Sequence, residues 1–73
     1  MDLYGNRHGR SFIISYKIGT DFIDVKFYNT HKIYRYSYSN AGKEHVERMK
    51  RFAVSGKWLN HYIRYFVMDS FDK

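Results

Sequence analysis

Cysteine and proline are both missing from this 73-residue chain, glycine appears only five times, and no long apolar run interrupts it. Without cysteine there are no disulfides and no thiolate metal ligands, so any stability must come from noncovalent packing. A membrane-crossing helix needs roughly 18 or more apolar residues in a row, which this chain nowhere supplies. Residues 1–10 contain two glycines and mixed charge but no apolar centre, so no signal peptide is expected there. The expectation is a soluble, cytoplasmic protein with no membrane partner. Gly5, Gly9 and Gly19 are too scattered to form a phosphate-cradling loop. The four histidines, His8, His31, His45 and His61, show no i, i+4 pair with a neighbouring carboxylate, so no metal site is expected. Ser55 has no recognisable base or orienting acid. No catalytic residue and no cofactor is therefore assigned, and the chain reads as non-enzymatic.

Aromatic rings and positive charge are what the chain has in excess. One Trp, eight Tyr and six Phe stand among 73 residues. A domain this short buries only about 60% of its unfolded surface, and each large ring can bury roughly 150–250 Å2, so a few rings can supply most of a small core. Homodimerisation is the other remedy for a small core, and surplus exposed tyrosine suits it. Thirteen Lys and Arg against seven Asp and Glu give a net charge of +6. Such a surplus favours polyanions such as nucleic acid, although a charge of about 2–8 also serves mere solubility in a small domain.

The pattern along the chain predicts an α+β fold, a three-stranded antiparallel meander followed by two short helices packed on one face. Residues 1–10 lack periodicity and are expected to form a flexible arm, with a single domain over 11–67 and an unpatterned tail over 68–73. Phe12 to Ile18 is β-branched and aromatic, and Gly19-Thr20-Asp21 is a turn signal. Ile23, Val25 and Phe27 then alternate with Asp24, Lys26 and Tyr28, as in a strand with one buried face. Asn29-Thr30-His31 is expected to close a hairpin, after which Tyr34, Tyr36 and Tyr38 face the core while Arg35 points to water. Asn40 is a suitable helix N-cap, and the helix from Gly42 to Val54 carries Val46, Met49 and Ala53 on one stripe, with Phe52 on its flank. Glu44 with Arg48, and Glu47 with Arg51, have the spacing of surface ion pairs. Gly56 reads as the left-handed stop of that helix. A second helix from Lys57 to about Val67 is expected to turn Leu59, Tyr62, Ile63 and Phe66 inward and His61, Arg64 and Tyr65 outward.

Four segments taken together, Ile23-Asp24-Val25-Lys26-Phe27, Tyr34-Arg35-Tyr36, the helix, and Ser55-Gly56-Lys57-Trp58-Leu59-Asn60-His61-Tyr62-Ile63, resemble the KTSC domain family, named after a C-terminal domain of some lysyl-tRNA synthetases. The resemblance spans about Ser11 to Arg64. This chain has Tyr38-Ser39-Asn40-Ala41-Gly42 where the family has a Val-Pro step, and Leu59 where an aromatic precedes Asn60. The resemblance implies contact with RNA.

Lys57, Trp58, Asn60, His61 and Arg64 form the densest cluster of candidate binding residues, placing cations, a large ring and an amide near a helix start. A purely structural reading competes with it, in which Trp58 covers the end of the core and Asn60 ties the inter-helix loop. Lys26, Tyr28 and Arg35 offer a rival surface on the sheet, cations interleaved with a ring. The leading expectation is a small basic nucleic-acid-binding domain, RNA favoured, using Lys and Arg on phosphates and rings on bases. The alternative is a protein-interaction module, of phage or other mobile-element origin, docking on a larger protein through its tyrosines.

Overall fold

Strand-forming residues with one apolar face need a partner layer, and in the computed structural model two helices provide it. The structure describes residues 2–5, 12–28, 30 and 32–72. Its elements are β1 (Asp2–Leu3), β2 (Ile13–Ile18), β3 (Phe22–Phe27), β4 (Ile33–Ser37), α1 (Lys43–Ser55) and α2 (Leu59–Tyr62), the last running directly into a π-helical turn, Ile63–Val67. The strands form one antiparallel sheet in the order β1-β2-β3-β4. The fold is therefore α+β as expected, with four strands in place of three.

The additional strand falls inside the segment expected to be a loose arm. Asp2 pairs with Tyr16 and Leu3 with Ser15, and the Tyr4 N–H donates to the Ile14 carbonyl at 2.9 Å. Two residues are too few to show a period of two, so only tertiary pairing identifies this strand. Residues 6–10, and Ser11 where order was expected to begin, lie outside the described residues, as do Asn29 and His31 of the predicted hairpin turn.

Within β2 the register slips by one residue between Ile13 and Ser15. That bulge lets Ile13 and Tyr16, three apart in sequence, both reach the core beside Phe27 and Val25. Beyond it the tyrosine row behaves as its alternation predicts. Tyr36 is buried, Tyr34 and Tyr38 are half-buried, and Arg35 is exposed. Ile23, Val25, Val46, Met49 and Leu59 are wholly buried in one cluster joining the sheet to both helices. Each such side chain contributes about 1.5–3 kcal/mol relative to exposure.

The expected caps and surface pairs are partly replaced. Gly42, at φ 95°, begins α1 with no side-chain cap, while the Asn40 amide donates to Asp72 Oδ1 at 2.6 Å. Glu47 pairs with Lys50 at 2.7 Å and accepts from the Tyr38 hydroxyl, so the partner foreseen in Arg51 is superseded. Lys50 is one residue nearer, and it also reaches the Thr20 carbonyl on the sheet at 3.1 Å. Gly56 ends α1 at φ 79°, ψ 16°, as expected. In the second helix Val67 is buried and Phe66 is 60% exposed, reversing the predicted inner position. The π-helical turn is the cause: its wider winding carries position 67, not 66, back to the face of Leu59 and Ile63.

The segment after the helix is not an unpatterned tail. Phe71 packs edge-on against Tyr34 at 4.9 Å, and the Asp72 N–H donates to the Arg35 carbonyl at 2.6 Å, covering the free edge of β4. Among the described residues no helix is long and apolar enough to cross a membrane.

Candidate nucleic-acid interface

Two left-handed residues shape the start of the second helix. Gly56 adopts this conformation without penalty, but Trp58 does so at φ 73° as a residue with a Cβ. Strain of this kind persists only where surrounding contacts impose it. Three hydrogen bonds surround it: the Tyr4 hydroxyl accepts the Leu59 N–H at 3.2 Å, Tyr62 N–H donates to the Trp58 carbonyl at 2.9 Å, and Ser55 Oγ donates to the Phe52 carbonyl at 2.9 Å. Trp58 is left 47% exposed at this junction.

From Trp58 an aromatic ladder climbs the outer face of the helix. The His61 ring meets Trp58 edge-on at 6.0 Å, and Tyr65 lies 4.5 Å from His61. Tyr65 is 68% exposed, and Lys57 and Arg64, both exposed, flank the ladder. The sequence assigned Tyr65 to the solvent side without giving it a binding role; the 58, 61, 65 spacing on one helical face was the available signal.

The other predicted members of the cluster turn elsewhere. Asn60 is half-buried and, with Arg64 at the rim, lines a cleft of about 410 Å3 between this helix and the end of the sheet. Phe27, Tyr34 and Tyr36 form its sheet wall and Phe71 its outer wall. Phe27 and Tyr34 stand at 75° with centroids 5.5 Å apart, and Tyr34 and Phe71 at 86° and 4.9 Å. Burial pushes the Tyr36 phenol up to about 12, with the neighbouring Tyr34 and Asp69 adding to the rise, so it stays a neutral hydroxyl at ordinary pH. This cleft joins residues up to 44 positions apart, from Phe27 to Phe71, and no local pattern announces it.

The rival surface on the sheet lies on the opposite layer. Lys26 stands across from Ile33, and Tyr28 is 60% exposed with Phe12 stacked on it at 5.3 Å. Arg35 is already engaged. Its Nε and Nη2 donate to the two Asp24 carboxylate oxygens at 2.8 and 3.0 Å, and its guanidinium lies 3.9 Å from the centroid of the Phe22 ring. The hydrogen bond to Asp24 raises the Arg35 pKa further above its ordinary value. This bidentate pair sits on cross-strand partners and uses both carboxylate oxygens of a buried Asp24. Arg35 thus spends its fork inside the protein and has little to offer a phosphate.

His45, on α1, forms a 2.6 Å hydrogen bond with the Tyr62 hydroxyl and links the two helices. His8 and His31 lie outside the described residues. Among the described residues no three His, Asp or Glu side chains gather as a metal ion requires. Compared with protein-family models, with curated proteins and with solved structures, the chain matches none.

Proposed function

We propose that this chain is a small, non-enzymatic, basic domain that binds single-stranded nucleic acid, RNA by preference, along the outer face of its second helix. The observation that carries the reading is Trp58, a half-exposed residue held in a strained left-handed backbone, at the foot of a ladder with His61 and Tyr65. Exposed rings in series accept unpaired bases of any sequence, at about 1–3 kcal/mol per stacked base. Lys57 and Arg64 beside them supply phosphate contacts, and the net charge of +6 draws the polymer in. Lys26 is a secondary contact on the far layer. RNA is preferred over DNA on the KTSC resemblance, which the reading adopts together with a cytoplasmic location. Nothing in the interface matches a base-reading signature, so binding is sequence-tolerant.

Trp58 is the only tryptophan, which makes the test direct. Titration with oligouridylate is expected to quench its fluorescence, with log affinity falling linearly against log salt by about 0.7 per phosphate contacted. An unquenched Trp58 at low salt sinks the reading.

A second reading is favoured by Phe66 and Met68, each 60% exposed next to Tyr65. Together they suit a protein partner, or a second copy of this chain, seated on the same helix. Recovery of one stoichiometric protein partner that survives nuclease treatment supports that reading over the first, and sedimentation across concentrations detects the homodimer.

A further inference from the structure

The geometry points to the cleft between the second helix and the end of the sheet as a pocket for one flipped-out base, with the adjoining phosphate on Arg64. The inference rests on the proposed binding of single-stranded RNA and names where one nucleotide of that strand goes. At about 410 Å3 the cleft is of the size that small ligands occupy, roughly 300–1,000 Å3. Its walls are rings set nearly perpendicular to each other, Phe27 against Tyr34 and Tyr34 against Phe71. A flat ring entering that corner stacks on one wall while meeting the edges of the others, the two arrangements aromatic pairs prefer. Ring cages of this sort also take organic cations, but charge decides against that here. Among the described residues lining the cleft none is acidic, Asp69 acting on Tyr36 from outside the lining, and Arg64 stands at the mouth of the cleft in a chain carrying +6. The occupant must therefore combine a flat ring with an anion. Asn60, half-buried on the helix wall, offers an amide donor and acceptor to the edge of such a ring. The cleft lies next to the outer ladder, because Arg64 flanks both, so a strand stacked on Tyr65 can turn its next base inward past Arg64.

The test uses the full chain with labelled aromatic rings, followed by NMR during titration with oligouridylate, uridine 5′-monophosphate, ribose 5-phosphate and N-acetylphenylalanine. The expected result is that oligouridylate and the mononucleotide both shift the Tyr34 and Phe71 ring signals, while ribose 5-phosphate does not. Phe71→Leu is then expected to weaken oligouridylate binding about tenfold while leaving Trp58 quenching at saturation intact. Quenching of Trp58 by oligouridylate with Tyr34 and Phe71 unmoved overturns the pocket and leaves the outer-face reading standing. Mononucleotide shifts without oligouridylate binding keep the pocket and remove the polymer. Shifts with N-acetylphenylalanine alone assign the cleft to a peptide carboxylate and overturn the inference, as does silence of all four probes. Because the ligand shifts are read on the unaltered protein, a Phe71 variant that fails to fold does not protect the idea.

Discussion

The phenolic oxygen of Tyr4 accepts a hydrogen bond from the backbone N–H of Leu59 at 3.2 Å, tying the first strand to the start of the second helix across 55 positions. The N–H groups of a helix's first turn have no partner within the helix, and a buried one left unpaired is costly. Burial raises the Tyr4 phenol above its usual value, so it remains a neutral hydroxyl able to accept. Tyr4→Phe keeps the ring and its edge-on contact with Tyr16 while removing only this acceptor. It is expected to cost about 1–3 kcal/mol in urea denaturation. A loss below a few tenths means that water replaces the phenol and the strand does not brace the helix.

The same junction contains a close backbone approach. A Cβ placed on Gly5 would lie 3.2 Å from the Gly56 Cα, and Gly56 itself is left-handed. Gly56→Ala is expected to destabilise by about 1–2 kcal/mol from backbone conformation alone. Gly5→Ala crowds the same junction, because its Cβ meets the Gly56 Cα and β1 must shift off the inter-helix turn. Since both changes act on one contact, the double variant should cost less than the sum of the two singles, measured as a thermal-unfolding cycle. Strict additivity would mean that the two glycines do not press on each other.

These two glycines show which parts of the molecule the sequence announces. Gly56 is legible because a helix stop needs one residue of special geometry, and the tyrosines at 34, 36 and 38 are legible because strand period two sorts them onto one face. Gly5 is not legible, since its need for smallness comes from a neighbour 51 positions away. Nor is β1, two residues long, nor the docking of Phe71, which depends on the free edge of β4. On the binding side, the helix segment around Trp58 could be read locally as a cluster of cations, ring and amide. Its division into an outer ladder and an inner cleft could not, because that depends on the π-helical turn and on Phe71 returning to the sheet. Arg35 looked like a phosphate contact only because the cross-strand register with Asp24 is not written in either residue's neighbourhood.

The π-helical turn makes an unusual prediction about side-chain size. Val67 is 1% exposed and Phe66 is 60% exposed. Val67→Ala removes two buried methyl groups at ~0.8 kcal/mol each and leaves a cavity besides. Phe66→Ala removes a far larger side chain that is mostly in solvent, giving up a stack on Tyr62 worth about 0.5–1.5 kcal/mol and a longer ring contact with His45 at 6.3 Å. Chemical denaturation is expected to rank Val67→Ala as the more damaging. An ordinary α-helix through this region gives the opposite order.

Acid should loosen the outer wall of the cleft. The Asp72 carboxylate accepts from the Ser37 hydroxyl at 2.7 Å and from the Asn40 amide at 2.6 Å, and these bonds hold its pKa below the usual 3.8. A carboxylate whose folded pKa is depressed stabilises the fold fully above its unfolded value and loses that contribution as pH falls through the folded one. Wild type should therefore exceed Asp72→Ala in stability above about pH 5, and the gap should close as the pH drops below about 4. Over the same range the ring signals of Phe71 should move toward solvent values. A gap independent of pH would assign the docking of this segment to Phe71 alone.

Arg64 and Arg35, the two arginines that the sequence offered as phosphate contacts, should respond in opposite ways. Arg64 is exposed at the junction of ladder and cleft, whereas Arg35 is forked onto Asp24 and stacked on Phe22. Arg64→Gln is expected to leave the unfolding midpoint where it is, to weaken oligouridylate, and to reduce the slope of log affinity against log salt by about 0.7, one phosphate contact on a single strand. Arg35→Gln leaves the Asp24 carboxylate without its charged partner, so the midpoint falls. The salt slope stays as in wild type, because removing a charge that meets no phosphate releases no counterion. Affinities measured over a salt series for both variants, below their unfolding temperatures, separate the two roles. Equal loss of slope in both would place the strand across the sheet as well, and the second helix would no longer be the principal surface.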